Sequence, residues 1–237
     1  MSFDDMKNVA GILLEYLPNT LNLFFWTLVL SIPVGVIVTF FKRCRFKPIS
    51  WLTNLYILIM RGTPLMLQII AVYYAIPMLI AGARKAGTEN WFYTLLGKVN
   101  TRDENYMFIA LVVAFVLNYA AYFAEIFRGG IEAIPVGQYE ASSMLGMTKL
   151  QTFFRIILPQ VVKRVIPATS NEVIVLVKDT SLANVIAFAE ITLKSKQMMN
   201  TYSSIIPLFV AGVFYFVMNA IVTVAFAFIE KKFNYYK

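Results

Sequence analysis

The chain has no histidine and a single cysteine, Cys44, among its 237 residues. Without histidine, a histidine-based proton relay, metal site or haem is excluded on this chain. One cysteine excludes an internal disulfide. Charged residues are also scarce, at 14% of the chain against about 25% in an average soluble domain. The sequence therefore lacks the charge of an ordinary soluble protein.

Apolar residues make up 59% of the chain, its mean hydropathy is +0.68, and these residues stand in long blocks. At roughly 20 residues per helical span, the length allows five or six spans. The composition therefore predicts an all-α membrane protein. The net charge of +8 would suggest nucleic acid in a soluble protein. Basic loops beside membrane helices produce the same sum, so no nucleic-acid partner is expected.

The apolar blocks predict five transmembrane helices, at about 17–41, 49–80, 106–126, 165–188 and 205–229. Pro33 and Gly35 predict a kink in the first, and the segment 61–64 interrupts the second. The polar loop at 81–105 contains a predicted interfacial anchor, Trp91-Phe92-Tyr93. The first 15 residues lack the pattern of a secretory signal, so no cleavage is expected.

Basic residues predict the orientation. Four of the six residues at 42–47 are basic, which places this end in the cytoplasm. Across the chain, twelve lysines and arginines fall in the proposed inside segments and seven in the outside ones. We therefore expect the N-terminus outside, the C-terminus inside, and the polar stretch at 127–163 on the cytoplasmic side.

This polar stretch predicts two short helices at a sharp angle. Gly146 suits the left-handed residue that ends a helix. Thr148 and Gln151 have the spacing of a capping box, which starts the next helix. The second helix is expected to turn one apolar face towards a neighbour, formed by Leu150, Phe153, Phe154, Ile157 and Leu158.

The same stretch resembles the coupling loop of an ATP-binding-cassette (ABC) importer permease. The signature of that family is Glu-Ala-Ala, three residues, Gly, nine residues, Ile-x-Leu-Pro. Ser142 replaces the second alanine, and the matching residues are Glu140, Ala141, Gly146, Ile156, Leu158 and Pro159. The segments 61–65, 124–131, 133–138 and 178–182 further resemble permeases of the polar amino acid uptake family. The resemblance covers roughly residues 17–230.

The resemblance implies a single permease domain over 1–237, with a coupling loop at about 136–160. It implies a transport subunit of a bacterial-type cytoplasmic membrane, with no enzyme activity and no cofactor on this chain. The implied partners are two ATPase subunits that hold ATP and magnesium, a second permease chain (the same or homologous), and an extracytoplasmic substrate-binding protein. The residues implied to couple to the ATPase are Gln138, Glu140, Ala141, Ser142, Leu145, Gly146, Met147 and Thr148.

Ionisable residues inside membrane spans are rare, and we take them as candidates for the transport pathway. Glu172 and Asp179 are seven residues apart, so they lie within about 20° of one face of a helix. Two carboxylates on one face need a cation. It could come from a substrate, or from Lys178 or Arg61 as an internal pair that stabilises the bundle. Glu125 and Arg128 indicate a structural pair.

Arg61 could present its guanidinium to a substrate carboxylate, although its position before a proline slightly favours extension to the cytoplasmic interface. The full set of predicted pathway residues is Arg61, Thr63, Gln68, Asn118, Tyr122, Glu172, Lys178, Asp179 and Ser181. The substrates that the family implies are polar amino acids, among them cystine, glutamine and the basic amino acids. The alternative is an ATP-independent channel or secondary carrier, although the sequence shows neither a filter-like repeat nor an inverted repeat.

Overall fold

The computed structural model describes residues 3–87, 100–101 and 103–233. The anchor predicted at Trp91-Phe92-Tyr93 lies outside these residues. Within them, the chain forms helices α1 to α9, joined by turns and by two short irregular helical segments. The elements in chain order are α1 (Phe3–Lys42), α2 (Lys47–Gly62), α3 (Leu65–Ala86), α4 (Glu104–Glu132), α5 (Val136–Met144), α6 (Lys149–Thr152), a π-helical turn (Phe153–Ile157), α7 (Leu158–Asp179), a 3₁₀ segment (Thr180–Ile186), α8 (Ile191–Tyr202) and α9 (Ile206–Phe233).

Four helices of the described chain, α1, α3, α4 and α9, are long and apolar enough to cross a membrane. The protein is therefore an all-α, multi-pass membrane protein. The fourth predicted span corresponds to α7, which does not reach the apolarity of those four. Helix α7 carries five charged residues, and three of them, Glu172, Lys178 and Asp179, are predicted pathway residues. The count of five spans and the orientation of the termini stay predictions.

Helix α1 begins at Phe3 rather than near residue 17, so it has 40 residues and is about 60 Å long at 1.5 Å per residue. That is about twice the hydrocarbon thickness of a bilayer. Val9 and Leu13 of the added part are fully buried in a cluster with residues of α8 and α9. The extension is helical because residues of α8 and α9 pack against its apolar side. The polar composition of the first 15 residues did not indicate this packing.

The interruption predicted in the second span is confirmed. Helix α2 ends at Gly62, and the extended conformations of Thr63 and Pro64 separate it from α3. A residue before proline is disfavoured in the helical region because the proline ring collides with it. The break therefore falls at the position that the Thr63-Pro64 pair dictates.

The main core surrounds α4, which packs against α1, α2, α3 and α7. Its buried side chains include Phe115, Tyr119 and Phe123. A second cluster joins the N-terminal part of α1 to α8 and α9. A third holds the end of α4 against the start of α7. These clusters fix the two regions described next.

Candidate functional site

The polar stretch at 136–160, the coupling-loop segment, begins with α5. Gly146 follows α5 with φ +71°, and its N–H donates to the Ser143 carbonyl at 3.0 Å. The Met147 N–H donates to the Ser142 carbonyl at 3.1 Å. These two bonds form a Schellman motif, which needs a left-handed residue where Gly146 lies. The predicted left-handed conformation of Gly146 at the end of a helix is confirmed.

Thr148 starts the next helix as predicted. Its hydroxyl oxygen accepts from the Gln151 N–H at 3.3 Å, and the Gln151 side-chain oxygen accepts from the Thr148 N–H at 2.9 Å. Both halves of the capping box are therefore present. Because Gly146 and Thr148 are two residues apart, one helix ends and the next begins with almost no flexible chain between them.

The single apolar face expected on the second helix is wrong. Residues 153–157 form a π-helical turn, which holds more residues per turn than an α-helix and shifts the angular position of those that follow. Ile157 is fully buried, whereas Leu150 and Phe154 are 71% and 59% exposed. The apolar residues therefore divide between an inner side, which packs on α4 and α7, and an outer side.

The outer side of the coupling-loop segment is an exposed apolar surface. Met144 and Leu145 are the most exposed, at 89% and 80%. The other exposed apolar residues of the segment are Val136, Tyr139, Leu150 and Phe154. Beneath them, Ile134, Ile157, Val161 and Val165 form the cluster that fixes the segment to the membrane helices. The segment is therefore a platform that is fixed on its inner side and exposes apolar side chains on its outer side. Of these side chains, Phe154 contacts the Phe153 ring edge-on, with the ring centres 5.1 Å apart.

Six of the eight predicted coupling residues are exposed on this platform: Gln138, Glu140, Ala141, Leu145, Gly146 and Thr148. Met147 is half-buried and Ser142 is buried. The Ser142 hydroxyl donates to the Gln138 carbonyl at 2.6 Å, inside its own helix. The hydroxyl group that distinguishes this loop from the family signature is therefore satisfied internally and not presented outward.

Three predicted pathway residues meet at the break between α2 and α3. The Gln68 amide donates to the Met60 carbonyl at 3.0 Å and to the Thr63 hydroxyl at 2.8 Å. The buried Asn118 amide donates to the same carbonyl at 2.9 Å and to the Gln68 side chain at 3.0 Å. A proline break frees backbone carbonyls that must find donors in a membrane. In this structure the side chains of Thr63, Gln68 and Asn118 donate hydrogen bonds to the backbone carbonyls at the break.

The predicted carboxylates lie on the half-exposed side of α7. Asp179 accepts a hydrogen bond from the buried Tyr119 hydroxyl at 2.7 Å. Glu172 has no hydrogen-bond or ion-pair partner within the described chain. Lys178 is exposed and Ser181 half-buried, and neither side chain has a hydrogen-bond partner among the residues that the structure describes. One carboxylate is thus held by a tyrosine and the other is unpartnered.

Arg61 lies in the last turn of α2. Its guanidinium is 5.2 Å from the centre of the Tyr122 ring and 3.9 Å from a carboxylate oxygen of Glu125. Glu125 also pairs with Arg128 at 2.8 Å and with Lys42, so the predicted Glu125–Arg128 pair is confirmed. Glu125 therefore joins α1, α2 and α4 through three cations.

Sequence reasoning missed one buried acid, Glu190. It is fully buried and caps α8 by accepting from the N–H groups of Thr192 and Leu193 at 2.7 and 2.8 Å. The Tyr215 hydroxyl of α9 donates to it at 2.9 Å. Burial raises the pKa of the Glu190 carboxyl, and these hydrogen bonds oppose the rise. Helix α8 was missed with it, because its polar composition resembles that of a loop.

A family model described as "Binding-protein-dependent transport system inner membrane component" matches residues 31–235. The arginine transport system permease protein ArtQ of Bacillus subtilis is 32% identical over 221 residues, which are 93% of this chain and 91% of ArtQ. The L-cystine transport system permease protein TcyB of the same organism is 33% identical over 190 residues, 80% of this chain and 70% of TcyB. A crystal structure of an amino acid ABC transporter with histidines has a TM-score of 0.80 at 30% identity, covering 98% of this chain and 99% of that one.

The chain is therefore a multi-pass membrane protein and a transport subunit, as its apolar helices and these similarities show. More closely, the chain belongs to the ABC importer permeases of the polar amino acid family. Permeases that differ in their named substrate, arginine and cystine, are about equally similar to it. Family membership therefore leaves the substrate to be inferred from the residues.

Proposed function

We propose that this chain moves a polar amino acid with a cationic side chain into the cytoplasm by alternating access. A separate ATPase drives the movement through the coupling-loop segment. The complex contains two such ATPases, a second permease chain and an extracytoplasmic substrate-binding protein, in a bacterial cytoplasmic membrane. The observation that carries the coupling is the exposed apolar platform, and the one that carries the substrate is the pair of carboxylates on α7.

The platform supports docking of a partner. Met144 and Leu145 are almost fully exposed, with further apolar residues on the same segment, and contiguous exposed apolar surface marks interaction sites. The Schellman motif and the capping box fix the angle between α5 and α6. Because the apolar cluster beneath them holds the segment to α4 and α7, a displacement of the platform moves these helices with it.

ATP hydrolysis belongs to the partner. The glycine-containing segment at 82–88 lacks the lysine after its second glycine that a phosphate-binding loop requires. In our proposal, ATP binding closes the two ATPases, displaces the platforms and opens the pathway outward. Hydrolysis then resets the pathway inward.

The carboxylates of α7 support a cationic substrate. Helix α7 is less apolar than the four candidate spans, and polar residues at membrane depth face protein or a water-filled path instead of lipid. On that helix, Glu172 lacks a partner in the described chain. A buried or half-buried carboxylate is costly unless a cation approaches it. A guanidinium or ammonium group of an amino acid meets this requirement, as it would for the substrate named in ArtQ.

The first test is Gly146→Val, compared with Gly146→Asn and Gly137→Ala. At φ +71° valine is strained, whereas asparagine tolerates this conformation. Gly137 has no atom within 4 Å of an added Cβ. We expect Gly146→Val to abolish ATP-driven uptake in proteoliposomes while membrane insertion is retained, and both comparison variants to transport. Normal uptake by Gly146→Val would contradict the coupling role.

A second test separates this proposal from an ATP-independent carrier. The chain, expressed with its partners, is purified through a tag on the permease, and the ATPase that copurifies is measured. We expect Leu145→Asp to remove the ATPase, because a charge would then lie in the centre of the apolar contact. Substrate flux through liposomes that contain this chain alone would overturn the proposal.

A further inference from the structure

An open cavity of about 510 Å³ lies between the end of α1, the end of α4 and the coupling-loop segment. This volume is within the range of small-molecule sites in proteins. Its apolar wall includes Phe40 of α1, Ile131 of α4 and Phe153 of the π-helical turn. Two cations, Arg43 and Lys149, also line it, and none of the described residues that line it is acidic. The cavity therefore suits a molecule with an apolar part and a negative charge.

Both cations are available to such a molecule. Lys149 is exposed, and its ammonium group has no ion-pair or hydrogen-bond partner within the described residues. Arg43 pairs with Glu132 at 3.7 Å, and both side chains are about half exposed, so this ion pair is weak. Glu132 also binds Arg128, so it keeps a cation when Arg43 turns into the cavity.

The cavity lies at the end of a membrane span. The apolar run of α1 ends at Phe41, and the basic segment 42–47 follows directly. Such a change marks the boundary between the hydrocarbon and the headgroups of a bilayer. Phe40 at the cavity is 60% exposed, and Val36 and Ile37, one turn before it on the same side of α1, are exposed as well. An exposed apolar surface of the span therefore leads into the cavity.

We propose that this cavity binds the headgroup of an anionic phospholipid. Arg43 and Lys149 bind the phosphate, and the lipid chain extends from Phe40 along the exposed side of α1. The Tyr139 and Ser143 hydroxyls line the same cavity, and neither has a hydrogen-bond partner in the part of the chain that the structure describes. They donate to the headgroup oxygens. The lipid thus connects the coupling-loop segment to α1, beside the apolar cluster that holds the segment to α4 and α7.

Phosphatidylglycerol is the probe for this site. Its binding is measured by native mass spectrometry of the complex, purified in detergent through a tag on the permease. A cation near an anionic lipid surface contributes about 1 kcal/mol, so we expect Arg43→Gln with Lys149→Gln to weaken binding about thirtyfold. The control is Arg45→Gln with Lys47→Gln, which removes two cations of the same basic segment that do not line the cavity. It should bind the lipid as the wild type does. Equal weakening in the two double variants overturns the inference, because it would show general attraction to a basic surface.

Thermal unfolding of the same complex separates the lipid from other occupants. A ligand that binds only the folded state raises the unfolding temperature. We expect phosphatidylglycerol to raise it by about 2 °C or more, and phosphatidylcholine or inorganic phosphate to leave it unchanged. Ser143→Phe, which narrows the cavity and keeps both cations, should lose the rise. An equal rise with phosphatidylcholine or with phosphate overturns the inference. So does an Arg43→Gln and Lys149→Gln variant that keeps the lipid but loses a protein subunit of the complex, because the cavity would then hold a protein.

Discussion

Helices α4 and α9 are nearly equal in apolarity, yet they differ in burial. In the most apolar stretch of α4, 61% of the residues are buried, against 11% in α9. Large side chains such as Phe209, Phe216 and Phe228 of α9 are about 70% exposed. Helix α4 instead buries a series of small residues, Ala110, Ala114, Ala120, Ala121, Ala124 and Gly130. Burial, and not apolarity, therefore distinguishes the central helix from the peripheral one, and the small residues of α4 are among those that are buried.

The reason is that lipid chains are as apolar as leucine, so apolarity does not drive one membrane helix onto another. Close packing does, and small residues allow it. Helix α1 offers the matching surface at Gly35, where an added Cβ would lie 2.8 Å from the Phe123 Cβ and 3.2 Å from the Ala120 carbonyl. The Thr39 hydroxyl donates to the Ala124 carbonyl across the same contact, at 3.2 Å.

The comparison predicts its largest effect for Ala121→Leu in α4. Ala121 is fully buried in a cluster with Ile57 of α2, so three added carbons force the helices apart. We expect a loss of about 3 kcal/mol in the free energy of unfolding. Denaturation of the purified protein in detergent measures it. Ala225→Leu in α9, where the alanine is exposed, adds the same three carbons and should change little. Equal effects at the two sites would show that α4 is packed no more tightly than α9.

A smaller effect is expected for Gly130→Ala. Its added Cβ would lie 2.3 Å from a methyl group of Val165 and 3.3 Å from one of Val161. Either the Val165 side chain leaves its rotamer or α7 moves, so we expect a loss of about 1–2 kcal/mol by the same denaturation measurement. Its neighbour Gly129 has no atom within 4 Å of an added Cβ, so Gly129→Ala should be neutral or stabilise α4 by up to about 1 kcal/mol. If both variants are neutral, the α4–α7 contact is looser than described.

The smallest effect is expected for Phe216→Leu in α9. Its side chain is 73% exposed, and leucine is as compatible with lipid as phenylalanine. The free energy of unfolding should change by less than about 0.5 kcal/mol. A larger loss in detergent would contradict the peripheral position of this face. If the loss appeared only in the assembled complex, it would place the face in contact with a partner chain.

Local signals in the sequence were sufficient where neighbouring residues determine the conformation. Gly146 predicted the end of α5, and the Thr148–Gln151 spacing predicted the start of α6. Thr63-Pro64 predicted the break in the second span. In each case the structure follows from steric exclusion or from a hydrogen bond between residues at most five positions apart, so one chain segment contains the whole cause.

Sequence patterns did not predict the features that depend on contacts between residues far apart in the chain. Glu190 is polar in a polar segment, and only Tyr215 on α9 and the packing of α8 show why it is buried. The mutual hydrogen bond of Gln68 and Asn118 at the α2–α3 break was also not predicted, because the two residues are 50 positions apart. The π-helical turn at 153–157 likewise changed which apolar residues of the coupling-loop segment face outward.

The sequence alone determined that this chain is an all-α membrane protein with a helix–glycine–helix segment of the ABC importer type, because composition, capping residues and motif spacing are properties of the linear chain. Only the tertiary structure decided which of its apolar helices is central and which carboxylate lacks a partner. Those properties depend on the distance between helices. That distance is set by the small residues of α1 and α4 through their contacts with one another, which no local pattern records.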